Sequence, residues 1–211
     1  MGISDFCDKI TRIIKGKDME KFDKIFNRDI KTERLELRVL RPTIANAQMI
    51  WDVLKDENSM DYQYMWYSST HKSHLPESVD ETLELMKQDS RYKNGAVWYI
   101  FHQGKFIGYQ RIHFWDNNDT IQCASVWFVK SARGHGFNRE VHNLIDKLGF
   151  EELGANRICR QAMEGNICSV NSIKKAGYQL DGVERAANKM PDGTYMNHLL
   201  FSKLKSEYNG K

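Results

Sequence analysis

The chain has 211 residues, of which 41% are hydrophobic and 28% charged, so it is long enough to bury one sizeable core. Its formal net charge of +3 is modest and gives no strong case for a nucleic-acid or membrane partner. No apolar run approaches the roughly 20 residues of a membrane-spanning helix, and no secretory segment precedes the cysteines. We therefore predict a cytoplasmic protein without membrane spans, whose cysteines are reduced thiols: Cys7, Cys123, Cys159 and Cys168.

The N-terminal residues carry an apolar stripe at helical spacing, with lysines between the apolar positions. The stripe comprises Ile3, Phe6, Ile10, Ile13 and Ile14. Packing on the domain or on a partner subunit explains this stripe better than a membrane-surface helix does. We predict a helical N-terminal extension over residues 1–31 and a single domain over residues 32–211.

Two helices with side-chain caps are predicted next. Thr43 can cap a helix that runs to about Asp56. Ser78 can cap another over residues 79–88, with Glu81 three residues later as in a capping box.

The connection between these helices is rich in aromatic residues, including Tyr64 and Trp66. Such a cluster commonly forms a packed cap, but it can also line a binding site, and Tyr64 and Trp66 are the candidates for substrate binding. His71 and His74 lie on the same connection without a third ligand nearby, so no metal site is predicted.

Three strands rich in aromatic and β-branched residues follow, at 96–101, 106–115 and 120–129. Residues 102–105 form a plausible turn in which Gly104 can adopt a positive φ. The three strands therefore predict an antiparallel meander whose last strand leads toward Gly134 and Gly136.

The third strand passes through Arg133, Gly134, His135 and Gly136 into an amphipathic helix. The apolar stripe of that helix predicts a core-facing side formed by Val141, Leu144, Ile145 and Leu148. Unpaired N–H groups in the first turn of a helix bind anions, and glycine lets the backbone approach them closely. A Gly-x-Gly turn by itself also occurs wherever a strand reverses into a helix.

A second motif lies downstream, at Asn166, Ser169, Lys175, Gly177 and Tyr178. Together the two motifs resemble those of the GNAT acyl-CoA N-acyltransferases. The resemblance is closest to the Rim-type branch, which acetylates protein N-termini and includes relatives that modify small amines. It extends from a first strand at 32–38 to a last strand at 199–204. It implies an α/β fold with a mixed sheet, in which splayed central strands are flanked by helices.

The resemblance also implies acetyl-CoA as the donor. In the family, the strand before the glycines is bulged and splays from the next strand, here 157–161, and the thioester arm lies in the gap like an added strand. The expected contacts are the Phe128 and Val129 backbone at the pantetheine; Arg133, Gly134, His135, Gly136, Phe137 and Asn138 at the pyrophosphate; and Asn166 and Ser169 near the pantetheine end. Helix capping is an equally good interpretation of Asn166.

Family members transfer the acetyl group directly from thioester to amine. This requires a neutral amine, N–H donors for the oxyanion and a proton for the departing thiolate. We expect the strand near Phe128 to donate a backbone N–H to the oxyanion and Ser169 to protonate the thiolate. The tyrosine that many relatives place four residues later is Ile173 here.

The general base is left unassigned. Many Rim-type sequences carry a Glu where this chain has Cys123, and nothing adjacent in sequence would lower the pKa of that thiol, so we interpret it as buried and inert. Further candidates for the base are His113, Asp116 and His74. Two smaller departures are Ser131, where Gln or Arg is common, and Asn197, where Asp is frequent; we expect weaker cofactor affinity and an altered acceptor, respectively.

The sequence thus predicts an acetyl-CoA-dependent N-acetyltransferase, a monomer or homodimer, that acts on a primary amine. A protein or peptide α-amino group is the leading acceptor, followed by small molecules such as aminoglycosides or polyamines. The alternative is a catalytically weak GNAT-fold module that binds acyl-CoA and signals through a partner. Acetylation of charged tRNA would require a contiguous basic face, which a net charge of +3 does not indicate.

Overall fold

The computed structural model describes residues 24–56, 76–90, 95–115, 119–190 and 192–209. Their strands are β1 (Ile30–Lys31), β2 (Glu36–Arg38), β3 (Gly95–His102), β4 (Lys105–Trp115), β5 (Thr120–Phe128), β6 (Arg157–Met163), β7 (Gln179–Lys189) and β8 (Tyr195–Leu204). They form one sheet in the order β1-β2-β3-β4-β5-β6-β8-β7. The β5–β6 pair is parallel and the other neighbouring pairs are antiparallel, which confirms the predicted mixed sheet.

Helices cover both faces of this sheet. They are α1 (Ile44–Leu54), α2 (Val79–Ser90), α3 (Phe137–Lys147) and α4 (Ile167–Lys175). Helix α1 packs on α2, and Asp89 of α2 forms an ion pair with Arg111 of β4. Helix α3 lies on the other face, where Asp146 forms an ion pair with Lys203 of β8 at 2.8 Å. Helix α4 contacts α3, because Asn138 Nδ2 donates to Ser172 Oγ at 2.8 Å.

Both predicted helix caps are confirmed. Thr43 Oγ1 accepts from the Asn46 N–H at 3.2 Å, and Ser78 Oγ accepts from the Glu81 N–H at 3.1 Å. The boundaries differ slightly from the prediction, since α1 ends at Leu54 and α2 continues to Ser90. The Glu81 carboxylate accepts from the Glu77 N–H at 3.0 Å.

The predicted first strand at 32–38 is wrong in its first half. Thr32 and Leu35 close a turn, in which the Thr32 N–H donates to the Leu35 carbonyl at 2.9 Å and the Leu35 N–H donates to Thr32 Oγ1 at 3.0 Å. A threonine hydroxyl that binds nearby backbone competes with strand pairing. The chain therefore makes a short hairpin of β1 and β2 here.

The meander and the last strand agree with the prediction. Gln103 (φ 50°) and Gly104 (φ 76°) form the turn between β3 and β4. Strand β8 begins at Tyr195, earlier than predicted, because it pairs with β7. The sequence analysis missed β7, since most of its side chains are exposed and it lacks an apolar alternation.

One buried core joins the sheet to all four helices. Val141, Ile145 and Leu148 are buried as predicted, and Leu144 is partly buried against the same core. The largest fully buried side chains of the sheet include Trp98, Phe101, Ile112, Ile121, Ile158 and Phe201.

Residues before the predicted domain boundary also join this core. Ile25 and Phe26 are buried in it, and Trp98 Nε1 donates to the Arg28 carbonyl at 3.1 Å. Residues 1–23 lie outside the described residues, so the division at residue 31 stays a prediction.

Cys159 and Cys168 are free thiols, as predicted for them. Cys7 and the side chain of Cys123 lie outside what the structure describes. None of the described helices is long and apolar enough to cross a membrane. Across the same residues, no group of three or more His, Cys, Asp or Glu side chains could hold a metal ion.

Candidate active site

The two central strands separate part-way along their length. The parallel β5–β6 ladder runs only from the pair Thr120–Arg157 to the pair Cys123–Arg160. Beyond Arg160, β6 stays paired with β8, while β5 stays paired with β4 from Ser125 onward. A bulge in β5 accompanies this separation. Between the pairs Arg111–Ser125 and His113–Gln122, β5 advances by three residues while β4 advances by two. The predicted bulge and V-shaped gap are confirmed.

The backbone of Phe128 faces this gap. The Val129 N–H donates toward β4, to the Ile107 carbonyl at 2.9 Å. Since bonding directions alternate along a strand, the polar groups of Phe128 point away from β4. Its carbonyl accepts from Arg133 Nε at 3.0 Å. The Val129 carbonyl accepts from the Ala132 N–H at 3.0 Å, so both backbone groups of Val129 have partners within the chain.

Two glycines with positive φ connect the end of β5 to α3. Gly134 has φ 81° and Gly136, the N-cap of α3, has φ 79°. No side chain caps the helix at Gly136, which leaves the first N–H groups of α3 for an outside partner. A Cβ built on Gly134 would meet nothing within 4 Å. The turn is therefore an open helix N-terminus, which we call the cradle (residues 133–138), and its geometry suits an anion such as a pyrophosphate.

A family model for the acetyltransferase (GNAT) domain matches residues 34–179. The chain belongs to this family. The match covers the splayed strands and the cradle, and it confirms the family that the motifs predicted. The chain is thus an N-acetyltransferase whose donor is acetyl-CoA.

Known proteins agree with this assignment. A protein of Bacillus subtilis (strain 168) named "Putative ribosomal N-acetyltransferase YdaF" is 23% identical over 188 residues, covering 85% of this chain and 96% of that one. A Vibrio cholerae structure described as a "putative ribosomal-protein-serine acetyltransferase" has a TM-score of 0.67 at 15% identity, over 85% of this chain and 98% of that one. The microcin C7 self immunity acetyltransferase MccE, solved with acetyl-CoA and AMP, has a TM-score of 0.67 at 17% identity, over 82% of this chain and 93% of that one. At these identities the structural matches establish the fold.

Aromatic rings surround the cradle of this GNAT domain. The His135 ring stacks on Phe137 at 5.8 Å between centroids, and the His102 ring lies 4.8 Å from Phe137. The Asn138 amide contacts Ser172 of α4, so its side chain joins two helices in the described structure. The cofactor-binding roles expected for these residues stay predictions.

A set of polar side chains, which the sequence analysis missed, binds the backbone of the cradle. Arg34 Nη1 donates to the His135 carbonyl at 2.9 Å, and its Nε donates to Glu140 Oε2 at 2.8 Å. Glu140 Oε1 accepts from the Arg34 N–H at 2.9 Å and from the Thr32 hydroxyl. The guanidinium also lies 4.7 Å above the centre of the Phe137 ring. We call Thr32, Arg34 and Glu140 the cradle clamp.

The hydrogen bonds of the cradle clamp lower the pKa of the Glu140 carboxyl group. Burial alone would raise the pKa of Glu140, but the hydrogen bonds from Thr32 and Arg34 outweigh it and lower that pKa below its usual value. Glu140 is therefore ionised at neutral pH. Sequence spacing could not reveal the clamp, because Arg34 and Glu140 lie 106 residues apart and meet only in the fold.

The second motif follows the open end of β6. Asn166 Oδ1 accepts from the Ser169 N–H at 3.1 Å, which confirms its role as N-cap of α4. Its role as a ligand stays a prediction, as does proton donation by Ser169, which is half-buried in the first turn of α4. Ile173, at the slot where many relatives have tyrosine, is buried in the core.

The face of the sheet that carries α1 and α2 contains a buried polar network beside the bulge. Arg111 pairs with Ser125 across the ladder and forms an ion pair with Asp89, to which Tyr99 also donates at 3.5 Å. Burial raises the pKa of Asp89, and Arg111 opposes that effect. His113 lies one ladder step before the bulge, opposite Gln122.

Several predicted residues cannot be placed. Tyr64, Trp66, His74 and Asp116 lie outside the described residues. Of the two other departures from the family pattern, Ser131 is exposed in a short 3₁₀ turn before the cradle. Asn197 binds Glu164 through Nδ2 at 2.9 Å, and its Oδ1 accepts from the Ala186 N–H at 2.9 Å.

Proposed function

We propose that this GNAT enzyme acetylates the α-amino group of a protein or peptide. The observation that carries the proposal is the gap between β5 and β6, which lies between the cradle and the bulge of β5. The names of YdaF and of the Vibrio cholerae protein support the choice of acceptor, since both refer to ribosomal substrates.

The roles of the residues follow from this proposal. The cradle binds the pyrophosphate through backbone N–H groups, and Arg133 adds a positive charge there. The Phe128 backbone pairs with the pantetheine arm, for which the Arg133 side chain must release the Phe128 carbonyl. Val129 contributes less, because its backbone groups already have partners. Ser169 supplies the proton for the departing thiolate.

A small-molecule amine is the second candidate acceptor. The structure of MccE, which contains the small molecule AMP together with acetyl-CoA, supports this candidate. The regulatory alternative, an acyl-CoA-binding module without turnover, rests on Cys123 at the position where many Rim-type enzymes have Glu.

Release of free CoA from acetyl-CoA tests the acceptor. The acceptors are peptides with a free N-terminal serine or alanine, an aminoglycoside and a polyamine, and the control is each peptide with its N-terminus already blocked. We expect release with free peptides and none with blocked ones, and mass spectrometry should locate the acetyl group on the α-nitrogen. Release with the small amines alone would replace the proposed acceptor. Binding of acetyl-CoA without release would favour the regulatory alternative.

A further inference from the structure

A histidine and a carboxylate lie together on the last two strands of the sheet. His198 of β8 pairs with Glu184 of β7 across the ladder. The imidazole Nδ1 lies 3.6 Å from Glu184 Oε2, and the two side chains are 15% and 54% exposed. This distance slightly exceeds a hydrogen bond, as is common for catalytic pairs without substrate. Neither residue has a role in the site described above.

His198 lies on the face of the sheet that carries α1 and α2. Lys203 on the same strand reaches Asp146 of α3, so Lys203 faces α3. Side chains alternate along a strand, which puts His198 on the opposite face. By the same alternation Arg111, bound to Asp89 of α2, and its ladder partner Ser125 lie on that face too.

His198 is also level with the open part of the gap. It pairs with Met163 of β6, three residues beyond Arg160, where the β5–β6 ladder ends. Three residues beyond Cys123 on β5 lies Val126, within the separated segment. His198 is therefore one strand away from the gap, whereas His113 lies where β5 and β6 are still paired.

The surroundings of His198 suit a neutral imidazole. Burial lowers its pKa, while Glu184 acts in the opposite direction. In the described part of the chain, Glu184 faces it from β7 and the uncharged Met163 from β6. On the same face of the sheet, Arg111 of β4 and Asp89 of α2 form an ion pair. A carboxylate beside Nδ1 favours the tautomer protonated there and leaves Nε2 as the base.

We propose that His198, oriented by Glu184, takes the proton of the acceptor amine, directly or through one water. The inference rests on the proposed function. The ammonium nitrogen gives one proton to the imidazole, and its lone pair then forms the N–C bond to the acetyl carbon. As the C–S bond breaks, the nitrogen loses its second proton, Ser169 relays a proton to the departing thiolate, and the imidazolium returns its proton to solvent. His198 thus fills the role that the Cys123 position leaves open.

The test compares His198→Gln, Glu184→Gln and Glu184→Asp with wild type, using the N-terminal serine peptide as acceptor. We expect His198→Gln to lower kcat/KM for the peptide about 100-fold near pH 7, because a general base contributes roughly 10²–10⁴. The deficit should shrink above the amine pKa of about 8, where the acceptor is already neutral. Glu184→Gln should lose about tenfold and Glu184→Asp should recover most of it. Arg185→Gln, on an exposed neighbour, is the control.

Acetyl-CoA affinity, measured by calorimetry, should be unchanged in every variant. A deficit equal at all pH values would assign His198 a structural role and overturn the inference, and so would unchanged kinetics. A pH-dependent loss in His113→Gln instead would assign the base to His113. Wild-type protein that acetylates none of the amines would refute the proposed function, and the inference with it.

Discussion

Helix α3 carries a polar network at each end, and the two differ in their surroundings. Near its N-terminus Glu140 joins Thr32 and Arg34 at the protein surface, where the Arg34 side chain is 40% exposed. Near its C-terminus Asp146, 3% exposed, binds Lys203 at 2.8 Å and accepts from the Tyr178 hydroxyl. Arg160 lies 4.0 Å from Asp146 and 4.9 Å from the centre of the Tyr178 ring.

Because of this difference in burial, we expect the N-terminal network to affect cofactor binding and the C-terminal network to affect stability. A partly exposed ion pair contributes little free energy of unfolding, so the clamp acts mainly by fixing the carbonyl of His135 and hence the cradle. A buried ion network contributes little net stability when intact, but removal of one member leaves an uncompensated charge in the core. Substitutions at the two ends of one helix should therefore have different effects.

The largest effect is expected for Asp146→Ala. Loss of this carboxylate removes the buried counter-charge of Lys203, and urea unfolding should show a loss of about 3–5 kcal/mol. Asp52→Ala is the matched control, because Asp52 binds Lys55 at the surface, where both side chains are more than one-third exposed. That control should leave the free energy of unfolding nearly unchanged. Equal losses would contradict the distinction between the two networks.

A large effect on binding is expected for Gly134→Val. The side chain would enter the open space above the cradle and should weaken acetyl-CoA binding at least about 100-fold, or roughly 2.7 kcal/mol, by calorimetry. Gly104→Val is the control, since Gly104 has a similar φ of 76° and open surroundings but lies in the β3–β4 turn. Both variants should lose about 1–2 kcal/mol of stability from the left-handed backbone. Unchanged affinity in Gly134→Val would refute the cradle.

A smaller effect on binding is expected for Arg34→Gln. The His135 carbonyl loses its hydrogen-bond donor, and the cradle loses a nearby positive charge. Acetyl-CoA affinity should therefore fall about tenfold, or about 1.4 kcal/mol. Affinity for acetyl-pantetheine, which lacks the pyrophosphate, should stay the same. Arg38→Gln is the control, because Arg38 binds Glu36 away from the cradle. If the affinities for acetyl-CoA and for acetyl-pantetheine fell equally, the clamp would not act on the pyrophosphate site.

The smallest effect is a pH dependence due to His142. Burial, with Arg160 and Lys203 nearby, lowers the pKa of His142 well below its usual value, so the folded protein keeps it neutral. The unfolded chain binds a proton there as pH falls below about 6.5, so stability present above that pH is lost by up to about 1.4 kcal/mol per pH unit. His142→Leu should reduce the slope between pH 6.5 and 5.5 in urea unfolding. An unchanged slope would mean that His142 is protonated in the fold.

Local patterns predicted the helix caps, the meander and the glycine turn into α3 correctly, whereas pyrophosphate binding by that turn stays a prediction. Thr43 and Ser78 bind N–H groups three residues away, so their roles depend on contacts that the sequence shows directly. The first strand was misjudged because the Thr32 side chain binds the turn that it begins. Strand β7 was missed because an exposed edge strand has no apolar alternation to detect.

The sequence by itself determined the family, the donor and the position of the cradle, since the motifs that carry them are short and contiguous. Only the tertiary structure brought Arg34 to His135, and His198 to the level of the open gap. Such contacts depend on strand order and register, which join residues far apart in the chain. The register of β6 against β8 decides which side of the sheet His198 faces, because a shift of one residue would turn it toward α3.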